Sequence, residues 1–311
     1  MNRLLIFLIA AVLISGCAVI PDESESETLT YDNIAIYSDL SNRLNKSPND
    51  TAVINQLVTF FVTDCVKPGV KVNDRSSISF SRVNAYKSKC PVAKIDIGDI
   101  KSLEEKQLFV NNKSKAKNLS EVITDFKSQV NCNYRERDIG GLDILSLIYN
   151  EVNSGINVKK PAFIIGENDT TEIKYVNHLF IFTDGYLEYS KEAGNTDFYF
   201  SQPQIEKVRA FCRANKVSPE DAIKNNINFK LRPLKSENNK YINLYIMETY
   251  DRGLNPEKGT ILNTGDLSDN NILKTVWQNW ALESGYNRFI WKQLTQPSSL
   301  TKDYVRSVIV R

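Results

Sequence analysis

Hydrophobic and polar positions alternate between two periods along this chain, and the switches mark out strands and helices in turn. Asn33 to Ser38 is a short, mostly apolar run suited to a strand buried on both faces. Ser47-Pro48 then opens a helix with Pro48 in its first turn. Its apolar positions Val53, Ile54, Leu57, Val58, Phe61 and Val62 recur at helical spacing, and Lys67-Pro68-Gly69 ends it. Ser77 to Val83 alternates with period two and predicts a strand near a sheet edge; Ala93 to Ile97 is a further strand or part of an insertion. Leu119, Val122, Ile123, Phe126 and Val130 define a helix over Asn118–Val130, and a Gly140-Gly141 turn leads to another from about Leu142 to Val152. Asn177–Thr183 and Ile242–Met247 are the next strands, with His178 opening the first of them. A helix over Gln204–Asn215 and a short one from Pro219 lie between them. Ile272, Leu273, Val276, Trp277, Trp280 and Ala281 give Asn271–Ser284 a broad apolar face, which predicts docking onto the sheet rather than onto a membrane or partner. Ser190–Phe200 and Lys230–Lys240 read as surface insertions, and Val305–Val310 as an added strand or an outer tail.

Strands alternating with helices predict an α/β fold, a doubly wound and mainly parallel sheet with helices on both faces. The first residues have another purpose. Asn2-Arg3 gives a positive start, Leu4 to Ile14 is apolar, and Leu13-Ile14-Ser15-Gly16-Cys17 resembles a bacterial lipobox. The stretch falls short of the roughly 20 apolar residues a permanent span needs. The resemblance implies cleavage before Cys17, acylation of its thiol and anchoring to a leaflet of the cell envelope. Ala18 in place of an aspartate implies the outer membrane, at its periplasmic face or the cell surface. Pro21 to Glu27 is acidic and reads as a flexible tether. The expected organisation is a signal peptide over 1–16, lipidated cysteine and tether over 17–30, a folded domain over 31–285, and a C-terminal extension over 286–311.

Charge and cysteine content narrow the functional classes. Lys and Arg number 39 against 37 Asp and Glu, a net +2 that gives no electrostatic case for nucleic acid. Beyond Cys17, Cys65, Cys90, Cys132 and Cys212 permit two disulfides in an exported chain, and Cys65 with Cys90 is the preferred pair. No C-x-x-C element occurs and His178 is the single histidine, which argues against structural zinc and against a Ser-His-Asp or Cys-His enzyme.

Two segments at predicted strand ends carry candidate chemistry: Asp39-Leu40-Ser41-Asn42-Arg43 and Thr183-Asp184-Gly185. Oxygen side chains there could hold a divalent cation at the sheet's C-terminal edge. The pair resembles the von Willebrand factor A family, whose metal-dependent adhesion site uses a D-x-S-x-S loop, a threonine loop and a T-D-G loop. The resemblance implies Mg²⁺ or another divalent cation on Asp39, Ser41 and Asp184, open to a carboxylate from a protein partner. Gly140-Gly141-Leu142-Asp143 resembles the middle loop, with Leu142 in place of the threonine ligand. Asp143 either ligates or caps the helix that follows. Arg43 stands where the family has serine; a guanidinium cannot ligate a cation, though turned inward it could pair with Asp39 or Asp184 and replace the metal. The expectation is a lipid-anchored, non-enzymatic protein-binding module with a degenerate metal site. A structural or assembly lipoprotein and a metal-assisted hydrolase on Asp39, Asp184 and Asp143 are the alternatives.

Overall fold

A computed structural model describes residues 27–40, 46–82, 89–136, 143–165, 170–188, 198–255, 260–261, 263–294 and 301–309. The strands are β1 (Thr28–Ser38), β2 (Ser77–Arg82), β3 (Ala93–Asp96), β4 (Ala162–Ile165), β5 (Thr170–Phe182), β6 (Ile242–Thr249), the short pair β7 (Leu254–Asn255) and β8 (Thr260–Ile261), and β9 (Arg288–Gln293). The helices are α1 (Lys46–Phe60), α2 (Leu103–Val110), α3 (Leu119–Arg135), α4 (Ile144–Asn153), α5 (Gln202–Asn215), α6 (Pro219–Asn225), α7 (Asp269–Ser284) and α8 (Lys302–Val308).

The main sheet has the order β3-β2-β1-β5-β6-β9, with β4 hydrogen-bonded to β5 beside that path. β2, β1, β5, β6 and β9 run parallel, whereas β3 and β4 are antiparallel. Setting the β4 hairpin aside, this is the doubly wound arrangement in which the chain builds outward from a central strand in one direction and then in the other. Helices cover both faces, as alternation along the strands requires. Leu179, Ile181, Leu244 and Ile246 meet α4, α5, α6 and α7 on one face. Phe180, Phe182, Tyr245 and Met247 meet α1, α3 and α8 on the other. Trp277 and Trp280 of α7 are fully buried, so that apolar face is core; truncating either should cost about 3–5 kcal/mol.

Local chemistry places the helix ends. α1 runs on through a π-helical turn, Phe61–Val66, to Lys67 in the left-handed region at φ 50°. Asn118 and Glu121 form a reciprocal capping box at the start of α3, and Gly285 at φ 89° closes α7.

Several expectations are corrected. The strand containing His178 begins at Thr170, because its first half is polar and alternating and pairs only with β1 and β4. His178 lies mid-strand and buried, with Nδ1 3.0 Å from the Tyr245 hydroxyl and Nε2 3.3 Å from Asp32 Oδ1. In the tail expected at Val305–Val310, residues up to Val308 are helical and Val310 lies outside the described residues: Thr301 caps α8, and Val305 and Val308 are buried. The added strand is instead Arg288–Gln293, which extends the sheet past position 285. Phe198, Phe200 and Leu231 are buried, so the ends of the two supposed surface insertions pack into the core. Cys90 pairs with Cys132 across a Cα separation of 5.9 Å, while Cys65 and Cys212 are buried thiols. The preferred Cys65–Cys90 pair fails because the π turn points Cys65 into the core. Among the described residues, no helix is long and apolar enough to cross a membrane.

Candidate crevice at the C-terminal edge of the sheet

Asp39 and Thr183 leave adjacent parallel strands at the same level. The Asp39 N–H donates to the Phe182 carbonyl (2.9 Å), and the Thr183 N–H to the Met247 carbonyl (3.1 Å). Beyond that level β1 turns toward α1 on one face and β5 toward α5 on the other, the reversal that opens a crevice in doubly wound sheets. The Thr183 hydroxyl donates across it to Asp39 Oδ2 at 3.3 Å and accepts from the Gly185 N–H at 3.2 Å. Gly185 has φ +94°, and a Cβ there would lie 2.7 Å from the Trp291 ring of β9. The Trp277 indole N–H donates to the Gly185 carbonyl at 2.8 Å, so the loop is held from two elements of the core.

Asp184 does not stand open. Its Oδ1 accepts from the Tyr186 N–H at 3.2 Å, and its Oδ2 accepts from Arg252 Nε at 3.2 Å and Nη2 at 3.1 Å. Arg252 also donates through Nη1 to Glu188 at 2.6 Å and lies 4.1 Å above the Tyr186 ring. Burial works against the charge on Arg252, but Asp184 and Glu188 outweigh it and hold the guanidinium proton more tightly than usual. The network continues inward: the Tyr186 hydroxyl donates to Asp269 Oδ2 at 2.8 Å, and the buried Arg209 donates to Asp269 and Glu206. Burial pushes the Tyr186 phenol well above its ordinary range, and Asp269 adds to the rise. Asp251 accepts from the Asn270 N–H at 2.9 Å, and its burial raises the carboxyl above the usual range.

A bulge aims these groups. β6 loses register with β9 between Ile246 and Thr249, and Glu248 there adopts φ 64°. The chain turns so that Thr249 Oγ1 accepts from Asn270 Nδ2 at 3.1 Å, and Asp251 and Arg252 reach the start of α7 and the Asp184 loop. Beside Arg252 lies an open cleft of about 400 Å³, lined by Gln202, Glu206, Asp251, Arg252, Asn263 and Asp269 among others.

Asp39, Thr183, Asp184 and Gly185 therefore lie together, as their motifs predict. Ser41, Arg43, Gly140, Gly141 and Leu142 fall outside the described residues, as does Cys17. Asp143 caps α4: it accepts from the Ser146 N–H at 3.0 Å and the Ser146 hydroxyl at 2.6 Å. Of the two roles open to it, capping is the one it performs. The described donors at the crevice are already engaged with one another. Asp184 already has one oxygen on an N–H and the other on a guanidinium, so an ion would have to displace Arg252. Among the described residues, no group of three or more His, Cys, Asp or Glu side chains is placed to hold a metal. Arg252 is the residue that sequence reading passed over. Its signal was positional, since Asp251-Arg252-Gly253 follows a central parallel strand just as Asp39 and Asp184 do. No protein-family model matches the chain, and no curated protein matches it.

Proposed function

We propose that this chain is a lipid-anchored, von Willebrand factor A-like binding module of the bacterial envelope that engages a protein partner at the crevice without a metal ion. One observation carries the reading: at the crevice, Arg252 lies on Asp184, where the resemblance assigns the cation. The doubly wound strand order and the juxtaposed Asp39 and Thr183-Asp184-Gly185 loops support the family resemblance. The polarity of the cleft supports a change of partner chemistry. Glu206, Asp251 and Asp269 line it beside Arg252, with Arg209 behind Glu206 and Asp269, so carboxylates still outnumber guanidinium groups by one and the cleft suits a neutral polar or basic segment rather than an acidic one. The hydrolase alternative loses support because Asp143 is engaged at α4 and Asp184 at Arg252.

Site-specific photocross-linking in the full-length chain tests this. A photoreactive residue at Gln202 or Asn263 should give a discrete protein adduct that survives chelation of divalent ions. The same residue at Val217, at the far end of α5, should not give it. Adducts of equal yield from both ends, or an adduct abolished by chelation, would refute the reading.

A further inference from the structure

The end of the sheet opposite the crevice carries an apolar edge strand that no described element covers. β2 and β6 begin level with Asn33 and Asn177, whereas β1 and β5 begin several residues earlier. Residues 28–32 and 170–176, with β4, therefore stand beyond the neighbouring strands as a three-stranded tongue, about 20 Å long at ~3.3 Å per residue. Tyr31 and Ile173 within it are buried, but β4 is not: Phe163 is 66% exposed, Ile164 41% and Ile165 82%. These are successive residues, so among the described residues both faces of the strand are exposed and its outer edge has no strand partner. Nearby loops add Val70, Val72 and Ile156, placed at this end by the bonds of Tyr31 to the Asn73 carbonyl and Asn33 to the Asn157 carbonyl. Scattered exposed apolar side chains are ordinary, whereas a contiguous run on an uncharged edge strand marks an interaction surface.

Where the chain enters the fold decides what covers it. Thr28 lies opposite Glu172, the Glu27 carbonyl accepts from the Glu172 N–H at 2.8 Å, and Ile165 lies opposite Thr170. The segment before Glu27 thus joins the fold at the tip of the tongue, two strand spacings or about 10 Å from the level of β4. The stretch from Cys17 to Thr28, at no more than ~3.6 Å per residue, reaches at most about 40 Å.

We infer that β4 seats in the interfacial layer of the membrane that holds Cys17. The inference rests on the reading of Cys17 as a lipid anchor. A lipid surface fits better than a second copy or an added peptide strand, because strand pairing would cover only the edge and leave Phe163, Ile164 and Ile165 exposed. Glu167 and Asp169 in the link between β4 and β5 offset the exposed Lys160 and Lys174 beside it, so the contact draws on apolar burial rather than on attraction to anionic headgroups. β5 runs from the tongue to the crevice, so seating the tongue would hold the crevice about 40 Å above the bilayer, facing away.

The test uses the full-length chain in phosphatidylcholine vesicles containing shallow brominated lipids. A fluorophore is attached through Ile165→Cys or, as control, Asn263→Cys; the native thiols Cys65 and Cys212 are buried. The probe at 165 should be quenched several-fold more than the probe at 263, with little dependence on salt. The Phe163→Ser/Ile164→Ser pair should abolish that difference while the chain still sediments with the vesicles. An unquenched probe at 165 on a vesicle-bound chain whose Cys17 peptide carries lipid mass overturns this inference alone. A chain without lipid on Cys17 that ignores vesicles overturns the anchor and the inference together. Cross-links between 165 positions of two chains, without quenching, would assign β4 to a second copy and overturn it as well.

Discussion

Replacing Arg252 with alanine takes from the Asp184 carboxylate, its side chain only 3% exposed, the two guanidinium bonds that its Oδ2 accepts, while the Tyr186 N–H stays on Oδ1. Removing one partner of a fully buried ion pair costs about 3–5 kcal/mol, because the other charge stays behind without compensation. Arg252 is itself 41% exposed, so water can enter the vacated space and the cost should fall to about 2–3 kcal/mol. For a chain of this size that corresponds to a drop of roughly 3–5 °C in the thermal midpoint. Asp184→Asn removes the stranded charge while keeping an acceptor for the Tyr186 N–H. Arg252→Ala/Asp184→Asn should therefore be more stable than Arg252→Ala alone, with a coupling of about 1–2 kcal/mol in the cycle. The same single variant also opens the carboxylate to ions. Millimolar Mg²⁺ should raise the midpoint of Arg252→Ala by a few degrees and leave the unaltered chain unchanged. Scanning calorimetry with and without Mg²⁺ measures all of these. A cost below about 0.5 kcal/mol, no relief from Asp184→Asn, or Mg²⁺ stabilisation of the unaltered chain would refute the argument that Arg252 does the cation's work.

Gly185→Ala should destabilise by about 2–4 kcal/mol, since it combines φ +94° with a Cβ 2.7 Å from Trp291; urea unfolding followed by tryptophan emission measures it. Cys90→Ser or reduction of the Cys90–Cys132 bridge, which spans 42 residues, should remove about 3–4 kcal/mol, read as a fall in midpoint under reductant. Asp251 has a folded pKa above its unfolded value, so the native state binds the extra proton and stability declines as pH rises from about 4 through the raised folded value. Asp251→Asn should flatten that part of the stability–pH curve, and an unchanged slope would exclude Asp251 as its source.

Much of the fold was legible because its central strands and helices are buried on patterns that periodicity reports. Asn33–Ser38 and Ile242–Met247 are apolar on both faces since helices cover both, and α3 and α7 show stripes matched to the faces they bury. The tongue was not legible: Thr170–Val176 and Ala162–Ile165 are strands through pairing with each other and β1, with little burial to enforce a pattern. β9 was missed for the same reason, its residues being mostly half-buried at the sheet's edge. In the crevice, Asp39 and Asp184 could be found because each belongs to a recognisable motif at a strand end. The Arg252–Asp184 pair could not, because it joins positions 68 residues apart through a bulge that no local pattern encodes.

The seat of Trp291 beneath Gly185 has a consequence for the order of events as the chain is made. Synthesis runs from the N-terminus onward, so Asp39 and Asp184 emerge long before Trp291. Until β9 docks, the Asp184 loop lacks the wall that fixes it. A formed crevice thereby waits on β9, and a product truncated at position 285 should carry both motifs without it.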